Sequence, residues 1–351
     1  MSRRHLSINI GLVLIIALLL VVSLLSGKVW INPFSSAIDA RDMWIISELR
    51  LPRSLLAIVI GLVLGLSGAV LQGFLRNPLA DPAIVGISSS AAFGAVLAIF
   101  LGLSQSGWVV FGAAMIGAAS AMTLLGLLSG RSASPVAFIL AGMILSSLTG
   151  SLTAFLISIS PNPFATSEIV NWLMGALTDR GFDDLLIALP FMTFGMLLLA
   201  STGKALNILS LGEETARTMG VNMQQLLWII ILGLGLAVGA SVAVTGVVGF
   251  VGLIVPHLVR PFVGQKPSDI MLPSALAGAI LLLLADTLVR LTPGAGEVRL
   301  GIAMAMIGTP FFFGILVKLR GGYHGAEPKE HRGRTLGKAD SPRCKLCIFQ
   351  R

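Results

Sequence analysis

Few side chains in this sequence invite a reading as chemistry, and most decline it on inspection. Cys344-Lys-Leu-Cys347 has the spacing of a redox pair or of half a zinc site, and these are the chain's 2 cysteines. No second pair or histidine doublet completes the set, so neither a metal nor a disulfide framework is expected. His257 falls inside an apolar run, with no ligand-type residue three or four positions on. Between Pro256 and Arg260 it reads as the end of a helix. Ser88, in Gly86-Ile-Ser-Ser89, could suggest an intramembrane serine nucleophile. Serine is a common packing residue between membrane helices, and one distant histidine makes no dyad. The sequence contains no His-Glu-x-x-His, and Gly203-Lys204 lacks the earlier glycine of a phosphate-cradling loop. Nothing here hydrolyses ATP unaided, and the chain is expected to be neither an enzyme nor a cofactor carrier.

Charge placed against apolar sequence is the sharper signal. Arg50 and Arg53 stand in Arg50-Leu-Pro-Arg53 at the mouth of an apolar run, with Pro52 suited to a first helical turn. Arg290 ends another run one turn after Asp286, the spacing at which an ion pair neutralises a carboxylate. Such arginines can snorkel to lipid headgroups, or form an outward-facing rim that captures carboxylates of a partner. Leu211-Gly-Glu-Glu-Thr-Ala-Arg-Thr-Met-Gly220 places Glu213 and Glu214 where a helix would begin and Gly220 where it would stop. It reads as a short surface helix, either a solvated connector or a docking peg. Arg76-Asn-Pro-Leu-Ala-Asp-Pro82 is a polar knot whose two prolines forbid one helix from running through.

The elements that must position these groups are membrane spans. Of 351 residues, 55% are hydrophobic and 11% charged, with mean hydropathy +0.93. Soluble domains carry about 25% charged residues, so this apolar surface needs a bilayer. Ten runs approach the roughly 20 residues of a crossing helix. They cover residues 10–25, 55–75, 84–103, 108–128, 136–159, 185–199, 226–244, 246–259, 272–289 and 300–319. The eighth is short and ends near Pro256, as a broken or tilted span would. The first follows Arg3 and Arg4 without an Ala-x-Ala site and is expected to be retained. With those arginines inside, 17 of the 24 basic residues fall on the cytoplasmic side, along with both termini. Part of the net charge of +8 belongs to the last residues and gives no argument for nucleic acid. Gly61-xxx-Gly65 and Gly235-xxx-Gly239 have the spacing that lets helix backbones approach closely. The expectation is an all-α polytopic domain over residues 1–320 and a disordered cytoplasmic tail over 321–351.

Read in order, the motifs resemble the FecCD family of ABC-importer permeases, which carry ferric siderophores, haem or cobalamin. The matching segments are Arg50-Leu-Pro-Arg53, Ser67-Gly-Ala-Val-Leu-Gln72, Arg76-Asn-Pro-Leu-Ala-Asp-Pro82, Gly86-Ile-Ser-Ser89, and Leu211-Gly-Glu-Glu214 with Gly220. They continue through Gly249-Phe-Val-Gly-Leu-Ile-Val-Pro-His-Leu-Val-Arg260, Leu284-Ala-Asp-Thr-Leu-Val-Arg290 and Ile307-Gly-Thr-Pro-Phe-Phe312. The resemblance covers roughly residues 5–320. It implies a type II importer permease with ten helices per subunit, a homodimer around a central pathway in the bacterial inner membrane. It also implies an ATP-binding subunit dimer on the cytoplasmic face and a solute-binding protein on the other. By the family's pattern Arg50, Arg53 and Arg290 would meet acidic residues of the binding protein. Leu211, Gly212, Glu213, Glu214, Ala216 and Gly220 would belong to the coupling helix, and Asn77 and Leu79 to the cytoplasmic gate.

Two segments depart from that pattern. Gln265-Lys-Pro-Ser-Asp269 replaces the family's usual Asp-His-Arg, and Arg299-Leu300 replaces a Pro-Val pair after Glu297-Val298. The function expected is ATP-driven passage of an iron complex along a weakly gripping apolar pathway, with cobalamin or haem as the alternative cargo. A secondary transporter would need mid-span carboxylates or an ion site, and the sequence is poor in both.

Overall fold

The computed structural model describes residues 3–28, 30, 39–129, 135–292 and 296–324. Cys344, Cys347 and the rest of the tail from 325 lie outside the described residues. The chain comprises two compact units, Met1–Phe311 and Phe312–Arg351. The described helices are α1 (Arg3–Leu25), α2 (Ala40–Trp44), α3 (Leu51–Leu75), α4 (Ile87–Phe100), α5 (Gly107–Leu128), α6 (Pro135–Ser158) and α7 (Pro163–Leu173). They continue with α8 (Phe182–Ser201), α9 (Gly203–Leu209), α10 (Glu213–Thr218), α11 (Met223–Thr245), α12 (Val251–Val263), α13 (Pro267–Arg290) and α14 (Leu300–His324). No strand occurs among the described residues.

Each of the ten expected spans falls on a helix: α1, α3, α4, α5, α6, α8, α11, α12, α13 and α14. Among the described residues 7 helices are long and apolar enough to cross a membrane, while α4, α12 and the start of α14 are shorter apolar helices. The shortening has local causes. Pro82–Val85 is a 3-10 turn closed by Gly86 at φ 84°, so α4 cannot begin until Ile87. The eighth run loses its first five residues because Phe250 takes a left-handed φ of 69° and α12 starts only at Val251. Four further helices, α2, α7, α9 and α10, join the spans. α7 starts at Pro163 behind Asn162, whose side chain accepts from the Ala165 N–H, and its 11 residues are too few to cross a bilayer. A π-helical turn, Ile45–Arg50, joins α2 to α3 and adds a turn ahead of Arg53.

The core is built around α3, buried along most of its length against the antiparallel α13. The seam between them is made of small residues. A Cβ at Gly61 would overlap the Gly278 carbonyl, and one at Gly65 the Ser274 carbonyl. Absent side chains let two backbones touch where lipid supplies no hydrophobic drive for association. Gly235 and Gly239 of α11 lie in the same way against Met122 and Ala118 of α5. Gly61→Val should therefore wedge the central pair apart and cost about 1–3 kcal/mol or more, as overpacking does. The check is the melting temperature of the purified protein in detergent, which should fall clearly below that of Gly112→Val, where an added Cβ meets open space.

Candidate functional site

Antiparallel packing brings the first turn of α3 beside the last turn of α13. There Arg53 meets Asp286. The Arg53 Nε donates to both carboxylate oxygens at 3.0 and 3.1 Å, and Nη2 donates to Oδ1 at 2.8 Å. Arg290, one turn after Asp286 on α13, pairs with Oδ2 at 2.8 Å. The remaining nitrogen of Arg53, Nη1, reaches Glu297 Oε2 at 2.8 Å. Two guanidinium groups and two carboxylates thus balance, as buried charges must. Small polar groups complete the set. Arg290 donates to the Ser23 carbonyl at 3.2 Å and to the Ser54 hydroxyl at 3.3 Å, and it also meets the Ser23 hydroxyl. The Ser23 and Ser54 hydroxyls are 2.8 Å apart, and Arg50 donates to the Leu24 carbonyl at 2.9 Å. The ends of α1, α3 and α13 are tied together at this one point.

The sequence reading placed Arg50, Arg53 and Arg290 on an outward-facing rim. The structure brings all three to one place but leaves only 7%, 8% and 5% of each exposed, so they are buried instead of forming an open rim. The close α3–α13 seam carries Asp286 alongside, and a guanidinium among apolar helices is better satisfied by that carboxylate than by reaching for solvent. The expected i,i+4 pair of Arg290 with Asp286 is present. Above the cluster is a cavity of about 540 Å³ whose lining includes Lys28, Arg50, Arg53, Arg290 and Glu297. Glu297, Ser23 and Ser54 were missed as members of the site. Their signal was faint: polar residues within a turn or two of span ends that already carry arginines.

The other polar site lies at the far end of α3, whose 25 residues separate the two by about 37 Å at 1.5 Å per residue. Arg76 ends α3 in the left-handed region at φ 49°. Asn77 then accepts the Leu79 N–H on its side-chain oxygen at 2.9 Å, a local turn that its residue type favours. Asn77 is exposed and Leu79 half-buried. Gln72 locks this connection to α12, donating to the Gly252 carbonyl at 3.2 Å while accepting from Arg260 at 2.8 Å. Asp81 caps the 3-10 turn by accepting the Ala83 N–H at 2.8 Å. Burial pushes its carboxyl up from the ordinary value, against the pull of the hydrogen bond from the Ala83 backbone. Asn77, Arg76 and Ser210 line a cavity of about 250 Å³, so the polar knot and the connection leading to α10 share one end of the molecule.

α10 itself has the expected limits. Gly212 at φ 117° precedes it and Gly220 at φ 84° follows it, conformations that favour glycine. The Gly220 and Val221 N–H groups donate to the Arg217 and Ala216 carbonyls at 3.1 and 2.9 Å, closing the helix. Glu213 pairs with Arg217 at 2.8 Å across one turn. Ala216 is fully buried and faces the protein, whereas Leu211 and Met219 are 66% and 57% exposed. Any partner of this element therefore meets Leu211, Glu214 and Met219, with Ala216 behind them. His257 lies edge-on to Phe311 with ring centroids 6.2 Å apart, and Ser88 is buried in the first turn of α4.

Compared with known proteins, residues 11–318 match the FecCD transport family. The chain belongs to that family. It is an all-helical permease of an ABC importer. Over 326 residues it is 37% identical to the molybdate import permease MolB of Haemophilus influenzae, covering 89% of this chain and 96% of that protein. Over 302 residues it is 37% identical to the vitamin B12 import permease BtuC of Vibrio cholerae, covering 85% and 90%. A solved structure described as an inward-facing conformation of a transporter of the metal-chelate type aligns with TM-score 0.82 at 37% identity, over 89% of this chain and 99% of that one. The FecCD permease described here thus has its arginine cluster and its α10 region on a fold shared with importers named for different cargoes.

Proposed function

We propose that this FecCD permease forms, as a homodimer, the pathway of an ATP-driven importer for a bulky metal chelate, a ferric siderophore foremost, across the inner membrane of a bacterium. The observation that carries the reading is the division of polar groups between two ends of α3. At one end α10 presents exposed apolar side chains suited to a cleft in an ATP-binding subunit. At the other a cavity rich in arginine suits carboxylates of a solute-binding protein. Arg50, Arg53 and Arg290 are its docking residues in this reading, and Asn77 and Leu79 its cytoplasmic gate. The Arg76 end then faces the cytoplasm with both termini, in keeping with the positive-inside rule. Among the described residues the buried ion pairs of Arg53 and Arg290 with Asp286 lie at a span end, which does not favour a mid-span relay for an ion-driven carrier.

Relatives named for molybdate and for vitamin B12 stand at the same identity, so cargo is decided by transport. The test reconstitutes the permease with its cognate ATP-binding and solute-binding proteins. Ferric hydroxamate and catecholate siderophores, haem, cyanocobalamin and molybdate are offered in turn. Accumulation of a ferric siderophore that requires ATP is the expected result. ATP-dependent uptake of cobalamin or molybdate alone would reassign the cargo, and uptake that persists without the ATP-binding subunit would remove the ABC mechanism.

A further inference from the structure

The two carboxylates on Arg53 are not equivalent. Asp286 is fully buried and accepts three of its hydrogen bonds. Glu297 holds a single guanidinium nitrogen, retains 20% of its side-chain exposure and lines the cavity. Its second tie is the Thr178 hydroxyl, which donates to the same Oε2 at 3.2 Å. Around that cavity five basic residues stand against three acidic ones, Glu297 among them. Without Glu297 the excess of positive charge would be larger, and Arg53 would present Nη1 to the opening.

We propose that Glu297 is an internal stand-in for a partner's carboxylate: it occupies Arg53 while the cavity is empty and yields when an acidic side chain of a docked protein enters. This rests on the docking reading above and names the chain's own competitor for that site. The exchange is electrostatically even. Arg53 trades one carboxylate for another, so no charge is left buried alone, and Glu297 moves from a half-open position toward water. The backbone need not follow. The neighbouring segment is held separately, by Arg299 donating to the Asn171 side-chain oxygen at 3.0 Å and by the Gly301 N–H donating to the Gly175 carbonyl at 3.3 Å. A built-in competitor weakens docking, which suits a partner that must leave after each delivery.

The experiment uses the full-length permease in lipid nanodiscs and two probes: its cognate solute-binding protein, and a labelled hexaglutamate peptide. Glu297→Gln keeps size and hydrogen bonding but removes the competing charge. It should tighten both probes about threefold to tenfold at low salt, the range expected for one partly screened charge pair. Thr178→Val loosens Glu297 from its other side and should shift both affinities in the same direction by a smaller factor. Arg50→Gln should weaken both. A residue that merely braces the loop would lower the melting temperature without raising affinity. Wild-type or weaker binding by Glu297→Gln, beside weakened binding by Arg50→Gln, overturns the stand-in and leaves the docking reading intact. Undiminished binding by Arg50→Gln removes the docking reading and the stand-in with it.

Discussion

Asp286→Ala should cost this permease about 3–5 kcal/mol, the usual penalty for stranding a buried charge. Asp286 is fully buried and accepts from Arg53 and Arg290 together. Its removal leaves two guanidinium groups facing one another, with Glu297 shared by only one of them. The serine hydroxyls around Arg290 are dipoles and cannot replace a charge. The measurement is the melting temperature and the membrane abundance of the variant. A double variant separates a stranded charge from a lost contact. Asp286→Leu with Arg290→Leu removes one charge of each sign and leaves Arg53 with Glu297, so it should recover most of the loss. If the single variant is as stable as wild type, or the double variant is no better, the cluster is not what ties α1, α3 and α13.

How much of this was legible beforehand follows from the range of each force. Spans were legible because roughly 20 apolar residues in series have no other use in an all-helical chain. Their ends were less so: residue 84 and residue 246 begin apolar runs, yet Gly86 and Phe250 hold left-handed φ values that hydropathy does not register. α10 was legible because its signals are local, acids at one end and Gly220 at the other. The Asp286–Arg290 pair was legible for the same reason, being one helical turn apart. The cluster around it was not. Arg53 and Asp286 are 233 positions apart, and only the glycine seam of α3 and α13 brings them together. Without that seam an arginine at a span mouth looks like a group aimed at solvent, and Glu297 looks like an ordinary loop acid. The orientation of Ala216 was lost likewise, since a six-residue helix does not reveal which face its neighbours cover.

That orientation decides how the coupling role of α10 is tested. Ala216 faces the protein, so Ala216→Glu would bury a carboxylate without a partner and would damage the fold before it reported on coupling. Leu211 and Met219 are the informative positions, large apolar side chains exposed on either side of the helix. An apolar knob entering a cleft gains about 1.5–3 kcal/mol when fully buried. Leu211→Asp with Met219→Asp removes both knobs and brings two carboxylates to an interface. Docking of the ATP-binding subunit should weaken by roughly a hundredfold or more, at about 1.4 kcal/mol per factor of ten. ATP-driven uptake in proteoliposomes should fall to background. The permease alone should keep its melting temperature, because neither side chain packs inside it. Assembly, hydrolysis and uptake at wild-type levels in the double variant would show that α10 is a solvated connector and that the ATP-binding subunit grips another surface.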